Sequence, residues 1–273
     1  MIEHLRAGVS AKRARVVLFD FDGTLSLVRS GWLEVMVGMA TGMLLDLGTG
    51  ETTPELRAVA REFIERLAGR QTIYQMIELA ESVRRRGGTP LEPLDYKRIY
   101  LERLGKRIEG RVDVLRRGTA PPDAYLVPGA RALLDALRGR GLRLYLASGT
   151  DEAAVRTEAG LLDIAGYFDG GIHGARDDPR SASKASLVRR IVDAGEAGGD
   201  ELLVFGDGAD EIESVKRVGG VAVGVASAEP ECRAVDPAKR SRLANAGADL
   251  IVPNYLDGGA LLGALFGEPQ PAA

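Results

Sequence analysis

Two aspartates, Asp20 and Asp22, follow the apolar run Val16–Phe19 and precede the turn residues Gly23 and Thr24. A valine-rich run of four apolar residues predicts a strand that is buried on both faces of a parallel sheet. Open α/β sheets bind their ligands beyond the carboxyl ends of such strands. Burying carboxylates costs several kcal/mol unless they are paired, hydrogen-bonded or metal-bound. The two aspartates therefore predict a site of chemistry rather than a capped turn.

A hydroxyl group stands at the end of a second predicted strand. The apolar run Leu144–Ala147 ends in Ser148 and Gly149, and a helix is predicted to begin at Glu152. A hydroxyl beside free backbone N–H groups at a helix N-terminus is suited to hold an anion such as phosphate. Serine is also an ordinary N-cap residue. By itself, this segment fits a phosphate site and a plain helix cap equally well.

A third predicted strand, Leu203–Phe205, ends in a group of acidic residues. Asp207 lies between two glycines, which allow a tight turn and a close approach of its carboxylate to a ligand, and Asp210 and Glu211 follow. Mg²⁺ takes few protein carboxylates and keeps several waters, so Asp20 with Asp207 and one neighbour would suffice. A favourable interaction with a helix dipole explains Asp210 and Glu211 well, but it explains Asp207 poorly.

A lysine is placed unusually in the predicted helix Ser183–Ala194. Lys184 stands in the first turn of that helix, where a cation is mildly unfavourable because of the helix dipole. Pairing with an active-site carboxylate and a substrate phosphate would compensate, although an exposed lysine is the commoner case. Asp177–Pro179 is predicted to form a turn upstream of this lysine.

The four segments together indicate phosphoryl chemistry. An aspartate nucleophile needs a cation that holds its charge near an anionic phosphate. The attacked group needs donors around its oxygens, because positioning and electrostatics supply most of the catalysis. A second aspartate two residues further on could protonate the leaving alcohol and then deprotonate the attacking water.

The rest of the chain predicts a scaffold that brings strand ends together. From Val127 onward, helical and strand-like segments alternate, which is typical of a doubly wound, Rossmann-like parallel sheet. Later strands are predicted at 142–147, 202–205, 221–225 and 249–252, and helices at 129–137, 152–158, 183–194 and 211–218. The predicted fold class is α/β.

A long helical segment interrupts this alternation. Residues from about 30 to 118 lack strand-like runs and place their apolar side chains at helical spacing. We therefore predict an α/β core domain formed by residues 1–26 and 121–273, with an inserted α-helical domain at residues 27–120.

Composition excludes several classes of function. The 273 residues carry a net charge of −3, which argues against nucleic acid as the main partner. The single cysteine, Cys232, excludes a disulfide framework, and with two histidines a His/Cys zinc cluster is not expected. There is no secretory signal pattern, and the apolar stretch Val35–Leu47 is too short to span a bilayer. We expect a cytoplasmic protein without a membrane partner; its oligomeric state stays open.

The four segments resemble the motifs of the haloacid dehalogenase superfamily, in its phosphatase branch, and they occur in that family's order. Asp20–Thr24 matches the highly specific DxDGT signature, Ser148 the second motif, Lys184 the third, and Gly206–Glu211 the acidic fourth. The resemblance covers the chain except its two ends. It implies a Rossmann-like α/β core and a phosphatase that uses Mg²⁺.

The resemblance also implies roles for the first motif. Asp20 is expected to be the nucleophile that becomes an aspartyl-phosphate, and Asp22 the general acid/base. The backbone carbonyl of Asp22 is expected to join Asp20 in binding Mg²⁺. Thr24, in the same signature, is expected to contribute to phosphate binding.

The other motifs complete the expected site. By the same resemblance, the Ser148 hydroxyl and the Gly149 N–H are expected to bind phosphate. Lys184 is expected to be both a catalytic and a phosphate-binding residue. Asp207 is expected to be a metal ligand.

The fourth motif departs from the family pattern in one respect. The family often has a second aspartate four residues after the first, and that position here is Glu211. Glutamate is one methylene longer, so it could bind the metal directly or through water. We rank Glu211 above its neighbour Asp210 as the supporting metal ligand.

The helical insertion resembles the cap of beta-phosphoglucomutase-like and phosphoglycolate phosphatase-like members. The expected activity is Mg²⁺-dependent hydrolysis of a phosphomonoester of a small metabolite, a sugar phosphate by the type of cap. A phosphomutase on the same scaffold is the alternative, and a non-catalytic regulatory protein is a weaker one. Dehalogenases lack the second aspartate, so Asp22 counts against that chemistry.

Overall fold

The computed structural model describes residues 2–176 and 183–267, and these contain one seven-stranded sheet. Its strands are β1 (Glu3–His4), β2 (Val16–Phe19), β3 (Arg143–Asp151), β4 (Gly171–Ala175), β5 (Leu202–Gly206), β6 (Val221–Val225) and β7 (Leu250–Val252). Their spatial order is β1-β7-β6-β5-β2-β3-β4. All neighbouring strands are parallel except β1, which is antiparallel to β7. The predicted α/β fold with a parallel sheet is confirmed.

Four helices lie in the segment where helical spacing was predicted. They are α1 (Trp32–Leu45), α2 (Thr53–Arg66), α3 (Thr72–Arg85) and α4 (Pro93–Arg116). Local sequence explains where α2 begins. The Thr52 hydroxyl accepts a hydrogen bond from the Glu55 backbone N–H, and the Glu55 carboxylate accepts one from the Thr52 N–H at 2.7 Å. This capping box satisfies N–H groups that would otherwise lack a partner.

Six further helices cover the two faces of the sheet. They are α5 (Ala130–Gly139), α6 (Glu152–Leu161), α7 (Lys184–Asp193), α8 (Ala209–Lys216), α9 (Pro237–Asn245) and α10 (Gly258–Phe266). Successive side chains of β2 point to opposite faces. Val17 and Phe19 join one apolar cluster with α5, α6 and α10, whereas Val16 and Leu18 join another with α7, α8 and α9. The sheet is therefore doubly wound.

Strand register brings the predicted motifs to one edge of the sheet. Phe19, the last residue of β2, is in register with Leu146 of β3 and Phe205 of β5. The rings of Phe19 and Phe205 stack with their centroids 4.8 Å apart. The residues that follow these three positions must emerge together, because all three strands run in the same direction.

The chain leaves the sheet and returns to it at adjacent points. Leu25 accepts a hydrogen bond from Val127, and Ser26 forms a β-bridge with Leu126. Arg111 of α4 donates to the carbonyl oxygens of Val28 and Ser30, at 2.8 Å each. These bonds fix the outgoing segment beside the mouth of the site.

Several elements differ from the sequence prediction. Strands β1 and β4 and helices α9 and α10 were not predicted. His173 lies within β4, where its ring stacks on Tyr145. The turn predicted at Asp177–Pro179 lies outside the described residues. Among the helices of the described ranges, none has the length and apolarity to span a membrane.

Candidate active site

A cavity of about 240 Å³ opens beyond the carboxyl ends of β2, β3 and β5, between the sheet and helices α1–α4. Six of the eight residues predicted from the sequence line it: Asp20, Asp22, Ser148, Gly149, Lys184 and Asp207. The structure thus brings residues of all four motifs to one cavity. Thr24 and Glu211 lie behind this surface.

Lys184 is buried between two carboxylates. Its Nζ lies 2.6 Å from Asp20 Oδ1 and 2.8 Å from Glu211 Oε2. Glu211 Oε1 accepts a hydrogen bond from the Gly208 N–H at 2.7 Å. Burial lowers the pKa of Lys184, but the two carboxylates outweigh that effect and raise the pKa above its ordinary value. Lys184 is therefore a fixed cation beside the predicted nucleophile.

Asp20 lies close to one cation and two further carboxylates. Burial raises the pKa of Asp20 well above its usual value, and the carboxylates of Glu211 and Asp207 raise it further, against the opposing effect of Lys184. A nucleophilic carboxylate must be ionised to attack. A cation bound near Asp20 would favour its ionised, nucleophilic form.

The two carboxylate oxygens of Asp22 differ in their hydrogen bonding. Its Oδ2 accepts a hydrogen bond from the Thr150 hydroxyl at 2.9 Å, and Arg29 Nε lies 3.9 Å from Oδ1. Oδ1 is buried and has no hydrogen-bond partner among residues 2–176 and 183–267. Burial raises the pKa of Asp22 to about 7, with Arg29 opposing the shift. Such a group can both donate and accept a proton near neutral pH.

Arg29 is a functional residue that sequence reasoning missed. It lines the cavity and pairs with Glu158 of α6, with Nε 3.0 Å from Oε2 and Nη2 2.7 Å from Oε1. Both side chains are buried. The available signal was a lone arginine directly after the apolar segment Leu25–Val28, but nothing in the sequence indicated its partner 129 residues away.

The loop between α2 and α3 lies directly over the predicted phosphate-binding segment. A Cβ added to Gly149 would lie 2.4 Å from the carbonyl oxygen of Arg70, which is too close for any side chain. A Cβ on Gly208 would lie 2.7 Å from the Cα of Gly69. Ser148 Oγ accepts a hydrogen bond from the Thr150 N–H at 3.1 Å, so its own hydrogen stays available to a ligand. Glycine is required at both contacts.

Thr24 is placed differently from the other predicted phosphate ligands. Its side chain is fully buried and does not line the cavity. Its Oγ1 has no hydrogen-bond partner in the described part of the chain, and its carbonyl oxygen accepts a hydrogen bond from the Tyr255 hydroxyl at 2.9 Å. The geometry therefore supports a role for Thr24 in holding the turn, not a phosphate contact.

The acidic residues have the donor set of a divalent cation site. Carboxylate oxygens of Asp20, Asp207 and Glu211 lie within 4.8 Å of one another. Oxygen donors of this kind suit Mg²⁺. Asp210 does not belong to this group and lines a neighbouring cavity instead.

Asp207 is held by a group that no motif predicted. Its Oδ2 lies 2.9 Å from Lys239 Nζ, which also lies 2.7 Å from Glu229 Oε1. Asp20, Asp207, Glu211 and Glu229 are thus four carboxylates, and two lysines are paired with them among the described residues. With all of these groups ionised, the formal charge of the cluster is −2, which is the charge that a divalent cation would neutralise.

Helices α1, α3 and α4 supply the opposite wall of the cavity. Its side chains are mainly uncharged and include Trp32, Met36, Thr72, Gln75 and Tyr100. The indole of Trp32 is half-buried, and Gln75 is fixed by a hydrogen bond from its Nε2 to the Ile64 carbonyl oxygen at 3.2 Å. Helical spacing marked Trp32 and Met36 as apolar helix positions, without indicating whether they face a ligand.

The sequence profile of haloacid dehalogenase-like hydrolases matches residues 14–219. A search against curated protein sequences gave no significant match. The matched residues contain the first three motifs and the acidic fourth, and they end before α9.

Solved structures with similar folds have low sequence identity. A phosphonoacetaldehyde hydrolase-like protein from Oleispira antarctica has a TM-score of 0.62 at 16% identity, covering 97% of this chain and 99% of its own. A predicted phosphoglycolate phosphatase from Haemophilus somnus 129pt has a TM-score of 0.59 at 14% identity, with 91% and 98% covered. A hydrolase from Pseudomonas syringae has a TM-score of 0.55 at 21% identity, with 89% and 96% covered. These similarities establish the shared fold.

Proposed function

Because the chain belongs to the haloacid dehalogenase-like hydrolase family and is therefore an enzyme, we propose that it is a Mg²⁺-dependent phosphomonoester hydrolase. One observation carries the proposal: Asp20, Asp22, Lys184 and Asp207 line a single cavity. A nucleophile, an acid/base, a fixed cation and a metal-binding carboxylate are the groups that hydrolysis through an aspartyl-phosphate needs.

The first step transfers the phosphoryl group to Asp20. A carboxylate oxygen of Asp20 attacks phosphorus, and the bond between phosphorus and the leaving oxygen breaks. Asp22 gives its proton to that oxygen, so the substrate leaves as an alcohol. Its pKa of about 7 makes the protonated form abundant near neutral pH.

The second step releases phosphate. Asp22, now ionised, takes a proton from a water molecule whose oxygen attacks phosphorus. The bond between phosphorus and Asp20 breaks, which restores the Asp20 carboxylate and yields inorganic phosphate. The proton on Asp22 is then available for the next substrate.

Three groups from the core are proposed to hold the phosphoryl oxygens during both steps. The Ser148 hydroxyl and the Gly149 N–H lie at the end of β3, and the Lys184 ammonium lies beside Asp20. Donors that are fixed before the reaction stabilise developing charge without reorganisation. The pairing of Lys184 with Glu211 supplies that fixation.

Mg²⁺ is the metal that we propose for the acidic cluster. The Asp20 and Asp207 carboxylates and the Asp22 backbone carbonyl would hold it, and its charge would shield the nucleophile from the phosphate. Both oxygens of Glu211 already accept hydrogen bonds, from Lys184 and from Gly208. We therefore place Glu211 in support of the site rather than as a direct ligand.

We propose a small substrate, a sugar phosphate, enclosed by a cap formed by residues 27–120 over a core of residues 1–26 and 121–273. The cavity of about 240 Å³ is smaller than the pockets that hold drug-sized ligands. An indole from Trp32 beside the polar groups of Thr72 and Gln75 suits a ring that carries hydroxyl groups. A cap of this kind excludes bulk water from the reacting atoms.

The test is phosphate release from a panel of phosphorylated metabolites, with Mg²⁺ and after its removal by EDTA. We expect activity that needs Mg²⁺ and falls at least about 10³-fold in Asp20→Asn, because the nucleophile is lost. Asp46→Asn is the matched control, since that aspartate is exposed at the end of α1. Release that survives Asp20→Asn would contradict the mechanism. Conversion of a sugar 1-phosphate to a positional isomer, without free phosphate, would indicate a mutase instead.

A further inference from the structure

Lys239 lies in helix α9, beyond the last residue of the family match. Its ammonium contacts Asp207 Oδ2 at 2.9 Å and Glu229 Oε1 at 2.7 Å. The side chains of Lys239, Asp207 and Glu229 are 16%, 16% and 15% exposed, respectively. The side chain of Lys239 is fixed in position, because two charged partners hold its ammonium group.

The same cluster packs against the turn of the first motif. Gly23 has φ +75°, and a Cβ there would lie 2.4 Å from Asp207 Oδ2 and 3.0 Å from Glu229 Oε1. The Ser227 hydroxyl approaches the Gly23 carbonyl oxygen at 3.4 Å. Asp207 is therefore confined on one side by the turn and on the other by Lys239.

The two buried lysines bracket the acidic cluster in parallel ways. Lys184 joins Asp20 to Glu211, and Lys239 joins Asp207 to Glu229. In each pair, one carboxylate is a proposed metal ligand and the other is not. Asp207 Oδ2 is bound to Lys239, and a carboxylate oxygen of Asp207 lies within 4.8 Å of oxygens of Asp20 and Glu211.

We propose that Lys239 is a positioning residue for the divalent cation, holding the Asp207 carboxylate in the orientation that binds Mg²⁺. This inference rests on the proposed function. Groups that hydrogen-bond a ligating carboxylate orient it, and their removal costs about 10–100-fold in metal affinity. Loss of positive charge beside the site would by itself tighten cation binding, so the orientation effect predicts the opposite sign from simple electrostatics.

The experiment is isothermal titration of Mg²⁺ into the full-length protein after treatment with chelator. We expect Lys239→Met to weaken Mg²⁺ binding about 10–100-fold and Lys239→Arg, which keeps the charge and the donors, to recover most of it. Lys106→Met is the matched control, because Lys106 is exposed on α4 and pairs only with its neighbour Glu102 among the described residues. A thermal melt of each variant establishes that it is folded.

Glu229→Gln is a second route to the same question if Lys239→Met does not fold. Removing the charge on Glu229 takes away the second partner of Lys239, with Asp207 itself untouched, and should weaken Mg²⁺ binding. Loss of a negative charge also weakens cation binding, so Glu231→Gln, which removes an exposed carboxylate two residues further on, is the matched control and should weaken it less. In phosphate release assays, these variants should need more Mg²⁺ for half-maximal activity.

Unchanged or tighter Mg²⁺ binding in folded Lys239→Met and Glu229→Gln overturns the inference. A change in KM for substrate with unaltered Mg²⁺ affinity also overturns it, because Lys239 would then act on the substrate. Failure of the wild-type protein to bind Mg²⁺ would instead contradict the proposed function, so the two failures are distinguishable.

Discussion

The two walls of the cavity are built on different principles. On the wall nearest the sheet, here called the core wall, each of three largely buried cations lies close to two carboxylates. These are Arg29, from the start of the predicted insertion, with Glu158 and Asp22; Lys184 with Asp20 and Glu211; and Lys239 with Asp207 and Glu229. The helical wall presents mainly uncharged side chains, among them an indole, a phenol and a carboxamide. Paired charges fix positions, whereas amphipathic side chains adapt to different ligands.

This difference separates chemistry from selectivity. The groups proposed to make and break bonds stand on strand ends of one rigid sheet, and ion pairs restrict their rotamers further. The groups proposed to contact the leaving alcohol stand on α1, α3 and α4, which form the insertion. Substitutions on the core wall should therefore change rates and stability, and substitutions on the helical wall should change which substrate is preferred.

The largest expected loss of stability among these predictions comes from Glu158→Ala, which removes a buried ion pair of the core wall. It leaves the Arg29 guanidinium buried without its bidentate partner, which should lower the free energy of unfolding by about 3–5 kcal/mol. Glu62→Ala, which removes an exposed partner of Arg66 in α2, is the matched control and should cost less than about 1 kcal/mol. Urea unfolding curves measure both. Equal losses in the two variants would mean that the core wall does not depend on its buried pairs.

Part of the core wall could be predicted from the sequence, because the residues of each motif lie close together in the chain. An apolar strand followed by acidic, hydroxyl or glycine residues is visible within ten residues, as at Asp20, Ser148 and Asp207. The partners of these groups could not be found in this way. Glu158 and Lys239 lie on helices far along the chain, and only the packed sheet brings them to the site.

The sequence predicted the helices of this wall, but not which of their side chains face the cavity. Apolar periodicity gave α1 to α4, since buried faces repeat every three to four residues. Trp32 and Tyr100 satisfy the same periodicity whether they face the core or a ligand. Strand β4 was missed because its sequence, Gly171–Ala175, contains two glycines and a histidine in place of a branched apolar run.

A smaller effect is expected from Trp32→Ala, which tests the helical wall. Losing the half-buried indole should raise KM for the best substrate about tenfold, or about 1.4 kcal/mol, and change the order of preference across a substrate panel. The kcat for esters with small leaving groups should stay close to wild type. Leu94→Ala is the control, because Leu94 is 67% exposed and does not line the cavity. A uniform loss of kcat with no change in preference would place Trp32 with the catalytic groups instead.

The smallest expected effect concerns His173, a titratable ring on the same sheet that pairs with no carboxylate of residues 2–176 and 183–267. Burial lowers the pKa of His173, Arg190 and Arg156 add to the shift, and Glu152 and the Gly170 carbonyl oppose it. The unfolded chain therefore takes up the proton first, near pH 6.5, so stability is complete above that pH and declines as pH falls towards the lower folded pKa.

His173→Gln should remove this decline, which we expect to be under about 1 kcal/mol because solvent screens a half-buried ring. Urea unfolding at about pH 7.5 and about pH 5 measures it, with His4→Gln, an exposed histidine in β1, as the control. Lys184 tolerates burial because its carboxylate partners outweigh desolvation, and His173 has no such partner among the described residues. A wild-type decline that persists unchanged in His173→Gln would assign acid sensitivity to the paired carboxylates of the core wall.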